Sequence, residues 1–264
     1  MRSLDHVVLN TRERTDDAVA LFTRLGFQVG ARGVHTLGSI NHTIVFAADY
    51  LELLGYPPGA PPPRRPELVQ RPLGLMATVL GTADADATRD ELLAARLKPR
   101  PVQEFSRPVD LPDGCGGAAV FRVTRLEPDA VPGTWFYFCQ QQTPHMVWHP
   151  AWQVHANGVQ RIAAIDIEVP DLAAALPLYA ACTAVAFALS GNDAVFRLGD
   201  CDINVRQSVG TARMTGITFG CHALAPLAAL FESACVRFES TGSCITVDPA
   251  ETLGAKLQFI GQAL

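Results

Sequence analysis

The 264-residue chain lacks most of the short motifs that mark a common enzyme class. It contains no GxGxxG, no P-loop, no GxSxG and no HExxH, so those routes to dinucleotide binding, nucleotide hydrolysis, serine hydrolysis and zinc proteolysis have no support. Gly114–Gly117 is dense in glycine, but no helix follows it, and it reads as a hairpin turn rather than a phosphate cradle. There is no CxxC, which argues against a structural zinc knuckle. The seven cysteines are odd in number and unpaired in spacing, as expected for a reducing cytoplasm, and each is read as a small buried hydrophobe. Cys139 has aromatic rather than basic neighbours, so nothing lowers its thiol pKa.

Like-charge runs are also missing. Arg64-Arg65 comes nearest, and a solvated loop accounts for it. The formal net charge of −5 argues against a nucleic acid or an anionic membrane, leaving a small molecule as the expected partner. No long apolar segment follows the N-terminus, so no signal peptide is expected. Leu172–Leu189 is the only stretch that could suggest a membrane span. Pro170, Asp171, Pro177 and Asn192 punctuate it, and it reads as a buried Ala-rich helix followed by a strand.

What is present is a large hydrophobic fraction, 48% against 18% charged, enough for one large or two small domains with a sizeable core. The pattern strand, helix, three strands recurs. In the first unit Leu4–Asn10 is a strand, Asp16 and Asp17 open a helix that Gly26 stops, and strands are predicted at Phe27–Gly30, Asn41–Ala47 and Tyr50–Gly55. Pro57–Pro66 is a proline-rich, extended connector. A second unit runs from Leu75 to Gln141 with its helix over Ala83–Leu97. The irregular segment Thr143–Gly158, rich in His, Trp and Pro, interrupts before third and fourth units beginning at Arg161 and Thr215. Four tandem units of roughly fifty to eighty residues dominate the chain. One such unit cannot close its own core, so two units pair around a cleft. The expectation is an α+β fold of βαβββ modules in two halves, residues 1–158 and 159–264.

Candidate chemistry follows from strand parity. His6 and Glu52 sit on the first and last strands of the first unit, and residues of one parity share a sheet face. Glu52 lies among Leu51, Leu53 and Leu54, where a carboxylate needs a partner or a shifted pKa. Side by side, the two would form a metal site or an acid/base pair. His35 and Asn41 either belong to a surface turn or line the cleft mouth and orient a substrate; His42 should face away. His145, His149 and His155 surround Trp148 and Trp152, but the prolines argue against a zinc-binding helix. The tryptophans are expected to pack the segment over the cleft as a lid, with Trp148 against the substrate.

Leu4-Asp5-His6-Val7-Val8, Leu25-Gly26-Phe27, His35 through Asn41, Tyr50-Leu51-Glu52-Leu53, and Trp148-His149-Pro150-Ala151-Trp152-Gln153 with Asn157-Gly158 together resemble the vicinal oxygen chelate superfamily, and within it the bacterial glyoxalase-like domain proteins. The resemblance covers roughly residues 3–160. It implies a divalent metal (Zn, Ni, Mn or Fe) held by the first and last strands of two paired units, and a lyase, isomerase or dioxygenase reaction on a small oxygenated metabolite. Carried over, His6 and Glu52 are metal ligands, with Glu52 also the proton-moving group. The second unit departs from the pattern: its first strand has no His, Asp or Glu, and Gln140-Gln141-Gln142 stand where relatives would carry a histidine. Gln141 is therefore the expected amide ligand of a weakly held ion. In the third unit Ala164 replaces His6 and Asn204 stands near the glutamate position, so the second half is read as structural or as a partner surface. The competing readings are a metal-free binding or sequestration protein and a structural homodimer without ligand.

Overall fold

In β1 (Leu4–Arg12) Val7 and Leu9 turn to one face of the strand while His6 and Val8 turn to the other. Against the first face packs α1 (Thr15–Arg24), which buries Ala18, Leu21 and Phe22 at helical spacing. Asp16 and Asp17 favour its positive N-terminal end. Gly26, at φ +80°, lets the chain leave the helix in a left-handed conformation. The computed structural model describes residues 2–35, 38–60, 63 and 65–261. Thr36 and Leu37 of the expected turn, and Pro61, Pro62 and Arg64 of the expected connector, lie outside the described residues.

The first unit continues through β2 (Gly33–Val34), β3 (Ile40–Val45) and β4 (Tyr50–Gly55). The second holds β5 (Gly74–Gly81), α3 (Ala85–Ala94), β6 (Gln103–Asp110), β7 (Gly116–Arg125) and β8 (Trp135–Gln141), after a short α2 (Pro66–Gln70). These strands form one eight-stranded sheet, in the order β2-β3-β4-β1-β5-β8-β7-β6. β1 pairs parallel with β4 and antiparallel with β5, and β5 pairs parallel with β8. The edge strands β2 and β6 approach each other, so the sheet curls almost into a barrel.

The same order recurs in a second eight-stranded sheet. Its strands are β9 (Val159–Val169), β10 (Phe187–Ser190), β11 (Asp193–Arg197), β12 (Asp202–Gln207), β13 (Arg213–Cys221), β14 (Phe238–Ser240), β15 (Cys244–Val247) and β16 (Lys256–Gly261). Helices α4 (Leu172–Thr183) and α5 (Leu224–Ser233) accompany them. The architecture is α+β, two halves that repeat one strand order in separate eight-stranded sheets. No helix among the described residues is long and apolar enough to cross a membrane.

Two cores hold the molecule. One is continuous between the halves: Leu9, Phe22 and Phe46 of the first share it with Ile165, Phe219 and Phe259 of the second. The other fills the first sheet's interior with Val8, Leu54, Met76 and Trp135. The shared core explains one departure from expectation. Phe27–Gly30 is not a strand; Phe27 is used for packing, its ring 5.2 Å from that of Phe219. Its β-favouring composition reflects burial rather than a ladder. Likewise, the end of the expected connector turns into α2, with Pro66 in its first turn and Leu68 buried in the interior core.

The segment 143–158 is irregular as expected, with 3₁₀ turns at Pro144–Met146 and Pro150–Trp152, but it does not cover the cleft mouth. It meets the other end of the β6–β7 hairpin, where Thr143 Oγ1 accepts the Val120 N–H at 2.8 Å and Met146 lies against Gly117. His155 is structural. Its Nδ1 accepts the Gln28 N–H at 3.0 Å, its Nε2 donates to the Val45 carbonyl at 3.0 Å, and its ring sits between Phe27 and Phe46.

The turn between β3 and β4 joins the halves through Asp49, which is 4% exposed and accepts the Ile162 N–H at 3.1 Å. Burial pushes its carboxyl pKa up to about 7, more than the Ile162 N–H and Arg161 lower it. An acid whose folded pKa lies above its unfolded value keeps its proton longer when folded. Its contribution is therefore full below the unfolded value and lost as pH rises through the folded one. Wild type should lose stability relative to Asp49→Asn between pH ~4 and ~7; denaturant melts of both proteins across that range measure the difference.

Candidate functional site

The register of β1 against β4 places His6 opposite Tyr50 and Val8 opposite Glu52. Parity turns His6, Tyr50 and Glu52 to the inner face and Leu51 and Leu53 to the outer core. His6 and Glu52 thus share a cavity of about 840 Å³ within the curled first sheet. His6 Nε2 lies 3.9 Å from Glu52 Oε2, too far for a hydrogen bond and close enough for one intervening atom.

Both groups are fixed from behind. The Nδ1–H of His6 donates to Asp5 Oδ1 at 2.6 Å, which in the neutral ring leaves the Nε2 lone pair toward the cavity. Tyr50 stacks on the His6 ring at 4.2 Å and 16°. Asn41 Nδ2 donates to Glu52 Oε1 at 2.6 Å. Asn41 reaches it because Gly33, its partner across β2–β3, has no Cβ where the Asn41 amide oxygen lies. Burial works against an ionised Glu52, but His6, His35, Arg65 and the Asn41 amide outweigh it and hold its carboxyl below the usual carboxylate range. Burial, aided by Arg65, Arg107 and Arg125, lowers the pKa of His35, which lines the cavity and is hydrogen-bonded to Ser39 Oγ at 2.8 Å. Burial together with Asp5 holds the Cys139 thiol well above its ordinary pKa.

His6, His35, Asn41 and Glu52 all line the cavity. Gln141 and Trp148 do not. Gln141 Nε2 donates to both carboxylate oxygens of Asp5, at 3.2 and 3.0 Å, so it reaches His6 only through Asp5. Gln140 Oε1 accepts the Ala85 N–H at 3.1 Å, at the start of α3. Trp148 packs edge-on against Tyr50 with centroids 6.0 Å apart, buttressing the residue that supports His6. The β8 residues that face the cavity are Tyr137 and Cys139. His42 turns away, to the Gly30 carbonyl at 2.8 Å.

The sequence reading did not single out Asp5, Arg107 or Arg125, and it took Arg65 for part of a solvated loop, whereas Arg65 lines the cavity. Asp5 stood beside His6 and could have been suspected as its anchor. Arg65, Arg107 and Arg125 are far apart in sequence and carry no motif, yet all three line the cavity.

A chelated metal would need donors from β5 and β8 as well as from β1 and β4. Opposite His6 on β5 stands Val79, and β8 presents a phenol and a thiol that burial keeps protonated. Among the described residues no group of three or more His, Cys, Asp or Glu side chains is placed to hold an ion. Catalytic zinc takes three protein ligands plus water; this donor set of two does not fit a resident metal. In the second half the register pairs Ala164 with Asp202 and Asp166 with Asn204, so Ala164 and Asn204 occupy the places of His6 and Glu52. Asn204 Nδ2 there donates to Asp166 Oδ1 at 2.9 Å.

The profile of the glyoxalase-like domain family matches residues 4–183. No curated protein sequence matches the chain. Among solved structures, a hypothetical protein from Staphylococcus aureus superposes with a TM-score of 0.70 at 10% identity, over 99% of this chain and 100% of that one. A mutant of 4-hydroxymandelate synthase from Streptomyces coelicolor gives 0.62 at 11% identity, over 100% and 95%. A xylose isomerase-like TIM barrel/4-hydroxyphenylpyruvate dioxygenase fusion protein gives 0.64 at 14% identity, over 99% of this chain and 49% of that one. At these identities the likeness shows the fold, that of the vicinal oxygen chelate proteins.

The donor set predicts metal strength. Purified protein should carry less than one equivalent of metal, and added manganese, nickel or zinc should bind weakly and reversibly in calorimetric titration. Val79→His, which adds a donor facing His6, should tighten zinc binding by orders of magnitude. Gln141→Glu should not, because it sets a second carboxylate against Asp5. A full equivalent retained by wild type through dialysis against chelator would refute this.

Proposed function

We propose, from the premise that the chain belongs to the glyoxalase-like domain family, that the first-half cavity is an active site moving a proton on a small oxygenated metabolite. The observation that carries this reading is the 3.9 Å gap between His6 Nε2 and Glu52 Oε2, with each group held in place by a partner outside the gap. Proton transfer is chemistry that these two side chains can perform themselves. Glu52, ionised near neutrality, accepts a proton from a carbon next to a carbonyl, whose oxygen takes up the C–H electron pair as an enolate. His6, its Nδ1–H held by Asp5 and its ring plane set by Tyr50, accepts at Nε2 a hydrogen bond from a substrate hydroxyl. Such a reaction is of lyase or isomerase type. In this reading catalysis belongs to residues 1–158, while residues 159–264 carry no site. The free cysteines suit a cytoplasmic setting.

Val79, apolar and facing His6, favours a second reading, a protein that binds or sequesters the metabolite without turning it over. The two readings separate in deuterium oxide. With a panel of small 2-oxo and 2-hydroxy acids and aldehydes, wild type should catalyse exchange of the adjacent C–H, followed by NMR. Glu52→Gln should slow it by about a hundredfold or more, the usual scale of general acid–base catalysis. Because the Glu52 pKa is lowered, the wild-type rate should stay level on acidification until the pH falls below the ordinary carboxylate range. Binding without exchange in wild type would favour sequestration.

A further inference from the structure

The cavity wall formed by β6, β7 and β8 carries charge and hydrogen-bonding capacity that the proton-transfer pair does not use. Arg107 on β6 and Arg125 on β7 both line the cavity. Other arginines lining it are neutralised: Arg65 by Glu67 at 3.1 Å and Arg100 by Glu127 at 2.8 Å. Among the described residues neither Arg107 nor Arg125 pairs with a carboxylate. Arg125 Nη1 donates only to the uncharged Gln103 Oε1, at 2.7 Å, and its Nε is buried without a partner. Beside it Tyr137, 5% exposed, has a buried hydroxyl that is likewise unpartnered, and the Arg125 guanidinium lies 5.3 Å from the Tyr137 ring. Phe105 and Phe121, with centroids 5.3 Å apart, extend the same wall as an apolar surface.

Half-buried cations and buried, unpartnered donors are costly unless something completes them. Their shared complement is a negatively charged oxygen group, which a guanidinium and a phenol recognise through short, charge-assisted hydrogen bonds. We infer that this wall is an anion subsite, and that the metabolite taken into the cavity is a small organic anion, carboxylate or phosphate, with a flat apolar body. Arg107, Arg125 and Tyr137 grip the anionic group while Phe105 and Phe121 pack its body. His6 and Glu52 meet its oxygenated carbon. A cavity of about 840 Å³ has room for such a molecule. This specificity rests on the proton-transfer reading for its purpose, but its binding can be measured without turnover.

The experiment is calorimetric titration of the full chain with phenylacetate, phenyl phosphate and neutral benzyl alcohol. Wild type should bind at least one of the two anions and bind benzyl alcohol far more weakly; the tighter anion identifies the head group. Arg107→Gln and Arg125→Gln should each weaken that anion about tenfold or more, the scale of a charge-assisted hydrogen bond. Tyr137→Phe should weaken it less. If Arg125→Gln fails to fold, Arg107→Gln on the edge strand still decides. Equal binding of benzyl alcohol and the anions would overturn the inference. So would arginine variants that bind the anion as wild type does, or a wild type that binds neither anion up to millimolar concentrations. Glu52→Gln should retain anion affinity while losing C–H exchange. Normal exchange in that variant would sink the proton-transfer reading and leave the subsite standing, whereas unaffected arginine variants alongside lost exchange would do the reverse.

Discussion

The register between β1 and β4 is the constraint on which the site depends. A strand has period two, so sliding β4 by one residue would send Glu52 into the outer core and bring Leu51 or Leu53 into the cavity. That register is held by apolar burial on both faces. Leu51 and Leu53 pack with Val7 and Leu9 on one side, and Leu54 packs with Val8 on the other. The two polar residues of the pair are therefore positioned by their hydrophobic neighbours. The hydrogen bonds from Asn41 and to Asp5 then refine the aim.

The halves use the same topology to different ends. The first sheet curls until β2 and β6 approach, enclosing an interior with its own core. In the second, Asp166, Asn204, Thr218 and Gln258 are half-exposed, while the opposite residues Ile165, Ile203, Ile217 and Phe259 are buried in the shared core. A sheet apolar on one face needs only that face covered. The second half thus stabilises the first without needing a cavity of its own. The clamp from Asp49 to Ile162 adds a polar tie across the same junction.

The first cavity holds charge of both signs, Glu104 of β6 included. β1 and β4 bring a histidine and a carboxylate, while β6 and β7 bring guanidiniums that lack carboxylate partners. Burial raises the cost of an ionised Glu52, and His6, His35, Arg65 and the Asn41 amide outweigh it. Burial, and after it Arg65, Arg107 and Arg125, turn His35 toward its neutral form in the same cavity.

Much of this was legible in the chain. The recurring strand-helix-strand pattern determined the α+β class, because period-two and period-3.6 burial are local properties of sequence. Parity along one strand put His42 on the face away from Asn41, whereas His6 and Glu52 share a face through the register of β1 with β4. Parity also put Ala164 and Asn204 in their places in the second half, since each of these follows from position along a single strand. The tertiary structure decided what depends on how distant strands meet. Gln141 looked like a ligand because it ends β8, but the pairing of β5 with β8 carries Tyr137 alongside Val79 and leaves Gln141 at Asp5. Trp148 looked like a lid, but its segment packs at the far end of the β6–β7 hairpin, and its ring meets Tyr50 from outside the cavity. The arginines carried no motif at all. Only the curl of the sheet brings β6 and β7 around to face Glu52, and curvature arises from the summed twist and closure of all eight strands, which no local stretch encodes.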